Sequence, residues 1–232
     1  ERVAACEALA AELDGTWNDD ARERLRGGLV GSGLSYAADS AGRVEHRFDA
    51  WAREWSRVRF ETCSLEHVQK AWSTDLRARA DDCLEERRIG FEARIAALST
   101  GDTGAVQGAV DLAASLGAPE TCSDPDQLLR RPALPDAGHD RLRELRRALA
   151  RTSALSESGK FAEGEALARQ TLASAEALAW PPVIAEAQLR LGALELDRSH
   201  YEAAARSIEE AYFTAARAQA LEIAAEAALE MA

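Results

Sequence analysis

The four cysteines of this chain are the residues whose type and placement could do chemistry. They are Cys6, Cys63, Cys83 and Cys122, so all of them lie in the first 122 of 232 residues. An even number of cysteines confined to one part of a chain favours two disulfide bonds formed in an oxidising compartment. The alternative is four buried thiols, because a free cysteine packs as a small hydrophobe.

Helix geometry favours one pairing of these cysteines. Cys83 lies about 15 residues before the end of its predicted helix, or roughly 22 Å at ~1.5 Å per residue. A helix returning over residues 102–116 has about the same length, which brings Cys122 level with Cys83. Pairing of Cys6 with Cys63 then follows by elimination.

Other motifs that could bind a ligand or catalyse a reaction are incomplete. Cys63 and His67 have the spacing of half a metal site on a helix, but no second half lies nearby in the sequence. Glycines at 27, 28, 31 and 33 lack the preceding strand and the Gly-Lys-Ser/Thr of a phosphate loop, which favours an interhelical turn. Serine-nucleophile and catalytic-cysteine motifs do not occur. We therefore expect no catalysis, no metal and no cofactor.

Composition predicts the fold class. Alanine supplies about a fifth of the residues and aromatic residues only 6%. Alanine loses no side-chain entropy in a helix, whereas a sandwich or barrel is built from β-branched and aromatic residues. The sequence therefore predicts an all-α protein.

The charge balance restricts the class of partner. Twenty-eight basic residues against 40 acidic ones give a formal net charge of −12, and neither half of the chain is basic. Nucleic acids and anionic membrane surfaces bind through lysine and arginine, so we expect neither as a partner. The sequence also begins and ends inside helical patterns, which suggests a piece of a longer protein.

Apolar residues three and four positions apart predict helices along most of the chain. The longest covers about Ala41 to Cys63, with the stripe Val44, Phe48, Trp51, Trp55 and Val58. Asn18 and its neighbours, and then Ser73, are candidate helix caps, and Gly101-Asp102 begins one helix that runs to Leu116. Four prolines between residues 117 and 138 exclude a continuous helix there. We predict a cysteine-containing helical bundle over 1–135 and a second domain over 136–232.

The second domain repeats itself with an offset of 40 residues. Ser158–Gly164 aligns with Arg198–Ala204, and each unit follows the pattern helix, turn, aromatic residue, small residue, helix. The pattern resembles the tetratricopeptide repeat family, most clearly in Leu191-Gly192, Tyr201, Ala204 and Ala211. The resemblance implies an α-solenoid of helical hairpins, here about two and a fraction units.

Stacked helical hairpins form a groove lined by the first helix of each unit. By repeat phase, the predicted partner-binding positions are Arg146, Leu149, Ser153, Glu157, Glu186, Leu189, Ala193 and Asp197. We expect a protein or peptide as the ligand of this groove.

The first domain is similar to the region between the membrane segment and the repeats of large bacterial serine/threonine protein kinases, of the kind abundant in myxobacteria. The matching segments are Cys6, Leu13 to Asn18, Gly33 to Ala37, Arg43-Val44, Asp49, Trp55, Arg59 to Cys63, Ser73, Cys83-Leu84 with Arg87, and Cys122 to Asp124. The resemblance implies a kinase domain and a membrane helix upstream, with this region on the periplasmic side. It would be a non-catalytic sensor that binds a protein or peptide. The alternative is a cytoplasmic tetratricopeptide adaptor with reduced cysteines.

Overall fold

A computed structural model describes residues 1–135 and 137–231. All regular secondary structure in these residues is helical, which confirms the all-α prediction. The chain divides into two compact units, Glu1–Leu129 and Arg130–Ala232. The boundary predicted near residue 135 adjoins Asp136, which lies outside the described residues.

Seven α-helices and two short 3-10 turns form the first unit. The helices are α1 (Arg2–Ala10), α2 (Asp19–Gly31), α3 (Ala37–His67), α4 (Thr74–Leu98), α5 (Thr103–Gln107), α6 (Ala109–Ala114) and α7 (Pro125–Arg130); the 3-10 turns are Ala11–Gly15 and Pro119–Ser123. Helix α3 is central, since α1, α2, α4 and α6 all contact it.

The core of the first unit forms around the predicted apolar stripe of α3. Phe48 and Trp51 are buried and contact Phe91 of α4, with ring centroids 4.9 Å and 4.5 Å away respectively. The indole N–H of Trp55 donates to the carbonyl of Leu84 at 2.9 Å, so this buried polar atom has a partner. These aromatic contacts fix α3 against α4.

The helix caps agree with the sequence, and the glycine segment agrees in part. The side chains of Asn18 and Ser73 accept hydrogen bonds from the backbone N–H groups of Ala21 and Leu76. Of the four glycines predicted to form an interhelical turn, Gly31 ends α2 and Gly33 follows in the turn with φ of 74°. Gly27 and Gly28, however, lie inside α2. A Cβ on Gly28 would lie 2.7 Å from the carbonyl carbon of Ser99, so close packing on α4 explains this glycine.

The single helix predicted from Asp102 to Leu116 is also corrected. It is divided into α5 and α6 at Gly108. The side chain of Asp102 caps α5 by accepting from the backbone N–H of Gly104 at 3.0 Å. Cys122 still reaches Cys83 after this break.

Five helices form the second unit within the described residues. They are α8 (His139–Glu157), α9 (Phe161–Leu178), α10 (Pro181–Asp197), α11 (Tyr201–Arg217) and α12 (Leu221–Glu230). Helix α10 is central and contacts each of the other four. Helices α8, α10 and α12 therefore lie side by side, with α9 and α11 packed beside them.

The turns of the second unit recur with the 40-residue offset. Gly159 and Ser199 both have left-handed backbone, with φ of 75° and 61°. In each turn the next residue donates back into the helix, from Lys160 N–H to the Leu155 carbonyl and from His200 N–H to the Glu195 carbonyl, both at 2.8 Å. Such bonds satisfy carbonyl groups that a helix end leaves unpaired. The two hairpins are therefore alike in local geometry as well as in sequence.

Candidate functional site

Both predicted disulfide bonds are present. Cys6 is bonded to Cys63, and Cys83 to Cys122, each with 5.5 Å between the Cα atoms. The two bonds use all four cysteines. They indicate an oxidising environment. Cys63 is therefore not free to bind a metal with His67, the half-site that the sequence contains.

The two disulfides connect different kinds of structure. Cys83 and Cys122 belong to the aromatic core of the first unit and join α4 to the 3-10 turn Pro119–Ser123. Cys6, by contrast, is the one buried side chain of α1. The Cys6–Cys63 bond thus attaches an otherwise exposed helix to the C-terminal part of α3.

Five of the predicted groove residues have accessible surface along α8 and α10. Ser153, Glu186 and Ala193 are partly buried, while Glu157 and Asp197 are exposed. The Asp197 carboxylate accepts a hydrogen bond from the Ser156 hydroxyl at 2.8 Å, which connects the ends of the two helices. These residues form a surface that a partner could contact.

For three of the predicted groove residues the prediction is wrong, because their side chains are buried. Leu149 lies in the core between α8 and α10, where it packs in one cluster with Val183. Leu189 packs with Ile208 of α11, and Arg146 is buried as well. The repeat phase predicts which helix comes first in each unit, but it does not predict which of its residues a neighbouring helix covers. Leu149 and Leu189 therefore belong to the core, and Arg146 is too buried to line an open groove.

An ion pair that was not predicted from the sequence connects α10 to α12. Arg190 of α10 pairs with Glu226 of α12, with Nη1 and Oε1 2.6 Å apart. Burial by itself lowers the pKa of Arg190, but the carboxylates of Glu226, Glu186 and Glu157 outweigh it and raise that pKa. Glu226 lies 40 residues after Glu186, so the repeat offset could have identified it.

A second ion cluster, with more deeply buried carboxylates, joins α9, α10 and α11. The Arg169 guanidinium bonds to Glu165 at 2.8 Å and to Glu195 at 2.6 Å, and Ser207 donates to the other Glu195 oxygen at 2.8 Å. Arg198 also bonds to Glu165, at 2.5 Å. The carboxylates of Glu165 and Glu195 are both buried. Their burial was not predicted from the sequence, because acidic residues on helices are usually assigned to the solvent-exposed face. The cluster fixes the hairpins against each other.

The described residues were compared with two further kinds of site, a metal centre and a membrane span, and contain neither. Within residues 1–135 and 137–231, no group of three or more His, Cys, Asp or Glu side chains is placed to hold a metal ion. In the same residues, no helix is both long and apolar enough to cross a bilayer.

Comparison of the chain with known protein families, with curated proteins and with solved structures finds no match.

Proposed function

We propose that this chain is a non-catalytic sensor and protein-interaction region of a membrane-anchored bacterial serine/threonine protein kinase. In this proposal a tetratricopeptide-like solenoid binds a protein or peptide. The observation that carries it is the arrangement of α8, α10 and α12 side by side, at a 40-residue offset. Stacked first helices give extended binding surfaces in helical-repeat proteins.

The accessible part of the proposed surface has the polar character of a peptide-binding face. Glu157, Glu186 and Asp197 contribute carboxylates, while Ser153 and Ala193 leave room between them. Arg190 holds α12 beside α10 through Glu226, so the surface spans three helices. A partner would therefore meet a fixed polar face.

The disulfides support the proposed location. Cytosolic thiols are kept reduced, and disulfide bonds persist in the periplasm and outside the cell. The resemblance to kinases with a membrane segment implies that same side of the membrane. A cytoplasmic adaptor would require the four cysteines to be reduced.

Site-specific crosslinking tests the binding surface. A photo-reactive amino acid at Ala193, on the proposed surface of α10, should crosslink a partner in cells that express the full-length protein. The same residue at Ala216, exposed on α11, is the matched control and should not. Equal crosslinking at both positions would contradict the proposal.

Thiol titration and the gene itself test the location and the parent protein. Protein denatured without reductant should show no reactive thiols, whereas four would favour the cytoplasmic adaptor. The gene upstream of Glu1 should encode kinase motifs and a membrane-spanning helix. A gene without them would rule out the kinase assignment.

A further inference from the structure

We infer that a crevice in the first unit binds a zwitterionic small molecule, namely an α-amino acid with a small apolar side chain. The crevice lies where the 3-10 turn Ala11–Gly15, α2 and α3 meet, and its volume is ≈ 350 Å³. Ligand pockets begin at about 300 Å³, so a molecule of this size suits it. Its walls are Leu13, Asp14, Trp17, Arg22, Asp49, Ala52, Arg53 and Ser56. This inference goes beyond the proposed function, which concerns the repeats.

The carboxylate of Asp49 in the crevice is held through one of its two oxygen atoms. Asp49 Oδ1 accepts the indole N–H of Trp17 at 2.7 Å and two N–H groups of Arg22, at 3.1 Å and 2.9 Å. Its other oxygen, Oδ2, bonds to none of the residues that the structure describes. A carboxylate fixed through one oxygen presents the other as a ready acceptor for an ammonium group.

Asp49 is ionised at neutral pH. Burial alone raises the pKa of this carboxyl group, but the bonds from Trp17 and Arg22 and the charge of Arg53 outweigh burial and lower it. The indole of Trp17 is fixed in turn, because the Arg22 guanidinium lies 5.1 Å from the centre of its ring. The negative end of the site is therefore formed before a ligand arrives.

The positive end of the site is Arg53, one helical turn after Asp49 on α3. Arg22 is already used by Asp49 and Asp19. Arg53, in contrast, makes neither a hydrogen bond nor an ion pair within the described parts of the chain, and neither does the carboxylate of Asp14. Side chains four residues apart on a helix lie about 5–6 Å apart at Cβ. A ligand with an ammonium and a carboxylate on one carbon can therefore contact Asp49 and Arg53 together.

Apolar side chains line the remaining wall. Leu13 and Trp17 are buried, and Ala52 is partly buried beside them. Ser56 follows Arg53 along the same face of α3 and adds a hydroxyl group to the positive end. Asp49 connects α3 to α2 and to Trp17 through hydrogen bonds that all end on its Oδ1 atom. That structural role uses neither Asp49 Oδ2 nor a hydrogen bond from Arg53, so both groups are available to a ligand.

Thermal-shift assays and calorimetry on the full chain test the inference. Glycine, L-alanine, L-valine and L-leucine are the probes, each at about 10 mM, and at least one should raise the melting temperature and release or absorb heat on titration. For the best probe, the N-acetyl derivative loses the ammonium and the amide derivative loses the carboxylate. Each derivative should bind at least about tenfold more weakly, since each loses one charged hydrogen bond. Derivatives that bind as well as the amino acid would overturn the zwitterion assignment.

Two variants separate ligand binding from stability. Arg53→Gln should weaken binding about tenfold or more, because it removes the charged hydrogen bond to the ligand carboxylate. It should change the melting temperature of the free protein little, because Arg53 is exposed, makes no hydrogen bond or ion pair within the described residues, and acts on Asp49 through its charge alone. Arg24→Gln removes an exposed arginine outside the crevice that makes no hydrogen bond or ion pair among residues 1–135 and 137–231; it is the matched control and should bind normally. Absence of binding by all four probes, or full binding by Arg53→Gln, would overturn the inference. Neither result would affect the crosslinking test at Ala193.

Discussion

Leu189 and Leu229 occupy the same position in helices 40 residues apart, yet their side chains are 1% and 78% exposed. Leu189 of α10 is covered by Ala204 and Ile208 of α11. Helix α12 has no counterpart of α11 on that side in the residues that the structure describes. Leu189 is therefore buried because α11 covers it, whereas no helix of the described residues covers Leu229.

This pair gives the first prediction. Leu189→Ala should lower the free energy of unfolding by about 2–5 kcal/mol, because it opens a cavity between α10 and α11. Leu229→Ala, the matched control, should change it by no more than about 0.5 kcal/mol. Urea denaturation followed by circular dichroism measures both. Similar losses for the two variants would mean that Leu229 is also covered in solution.

The second prediction compares neighbouring glycines of α2. Gly28→Ala should destabilise the first unit by about 1–3 kcal/mol, since its new Cβ would meet the backbone of Ser99. Gly27→Ala should instead stabilise it by about 0.5–1 kcal/mol, because this position is open and alanine favours the helix. Thermal denaturation of both variants beside the parent chain should give shifts of opposite sign. Shifts of the same sign would contradict the close packing of α2 on α4.

The third prediction concerns the two disulfides. Removing either pair, as Cys6→Ala with Cys63→Ala or as Cys83→Ala with Cys122→Ala, should lower the free energy of unfolding by about 2–5 kcal/mol. The local effects should differ. Without Cys6–Cys63, amide hydrogens of α1 should exchange rapidly while those of α3 stay protected, because Cys6 is the buried residue of α1.

Loss of Cys83–Cys122 should act on the core instead. The 3-10 turn Pro119–Ser123 should lose protection together with the adjoining part of α4, where Cys83 lies among core side chains. Hydrogen exchange measured by mass spectrometry distinguishes these patterns. If α1 kept its protection without its disulfide, contacts other than Cys6 would have to hold it.

The fourth prediction is a pH dependence that originates at Glu165. Burial raises the pKa of this carboxyl group, but hydrogen bonds from Arg169 and Arg198 outweigh burial and hold the pKa below its ordinary value of 4.5. A lowered pKa means that the ionised form stabilises the fold above about pH 4.5, and that this contribution is lost as the pH falls further.

Glu165→Gln tests the sign of that effect. At pH 7 it should lower the free energy of unfolding by about 1–3 kcal/mol, and the difference from the parent chain should shrink as the pH falls below about 4.5. Glu163→Gln is the control, because this exposed residue makes only a 3.4 Å contact with Arg151. Its effect at pH 7 should be smaller, within about 1 kcal/mol. A difference for Glu165→Gln that grows as the pH falls would contradict the assignment.

Much of the fold could be predicted because its signals are local in sequence. Asn18 and Ser73 begin their helices through bonds to backbone groups three residues away. Apolar spacing identifies the buried face of α3, and the 40-residue offset aligns two turns of like geometry. The segregation of the cysteines indicated two bonds, and helix lengths indicated their pairing. Each of these inferences needs only neighbouring residues, a repeat period or a count.

The tertiary structure decided which of those residues are accessible and which charges are paired. A glycine is required at position 28, inside a helix, because the backbone of Ser99 passes beside it. Leu149 and Leu189 are buried because α10 and α11 cover them. Asp49 has one engaged and one open oxygen because Trp17 and Arg22 approach it from other elements. Burial and electrostatics depend on distances between segments far apart in the chain. Composition and periodicity fix the helices but contain no information on those distances.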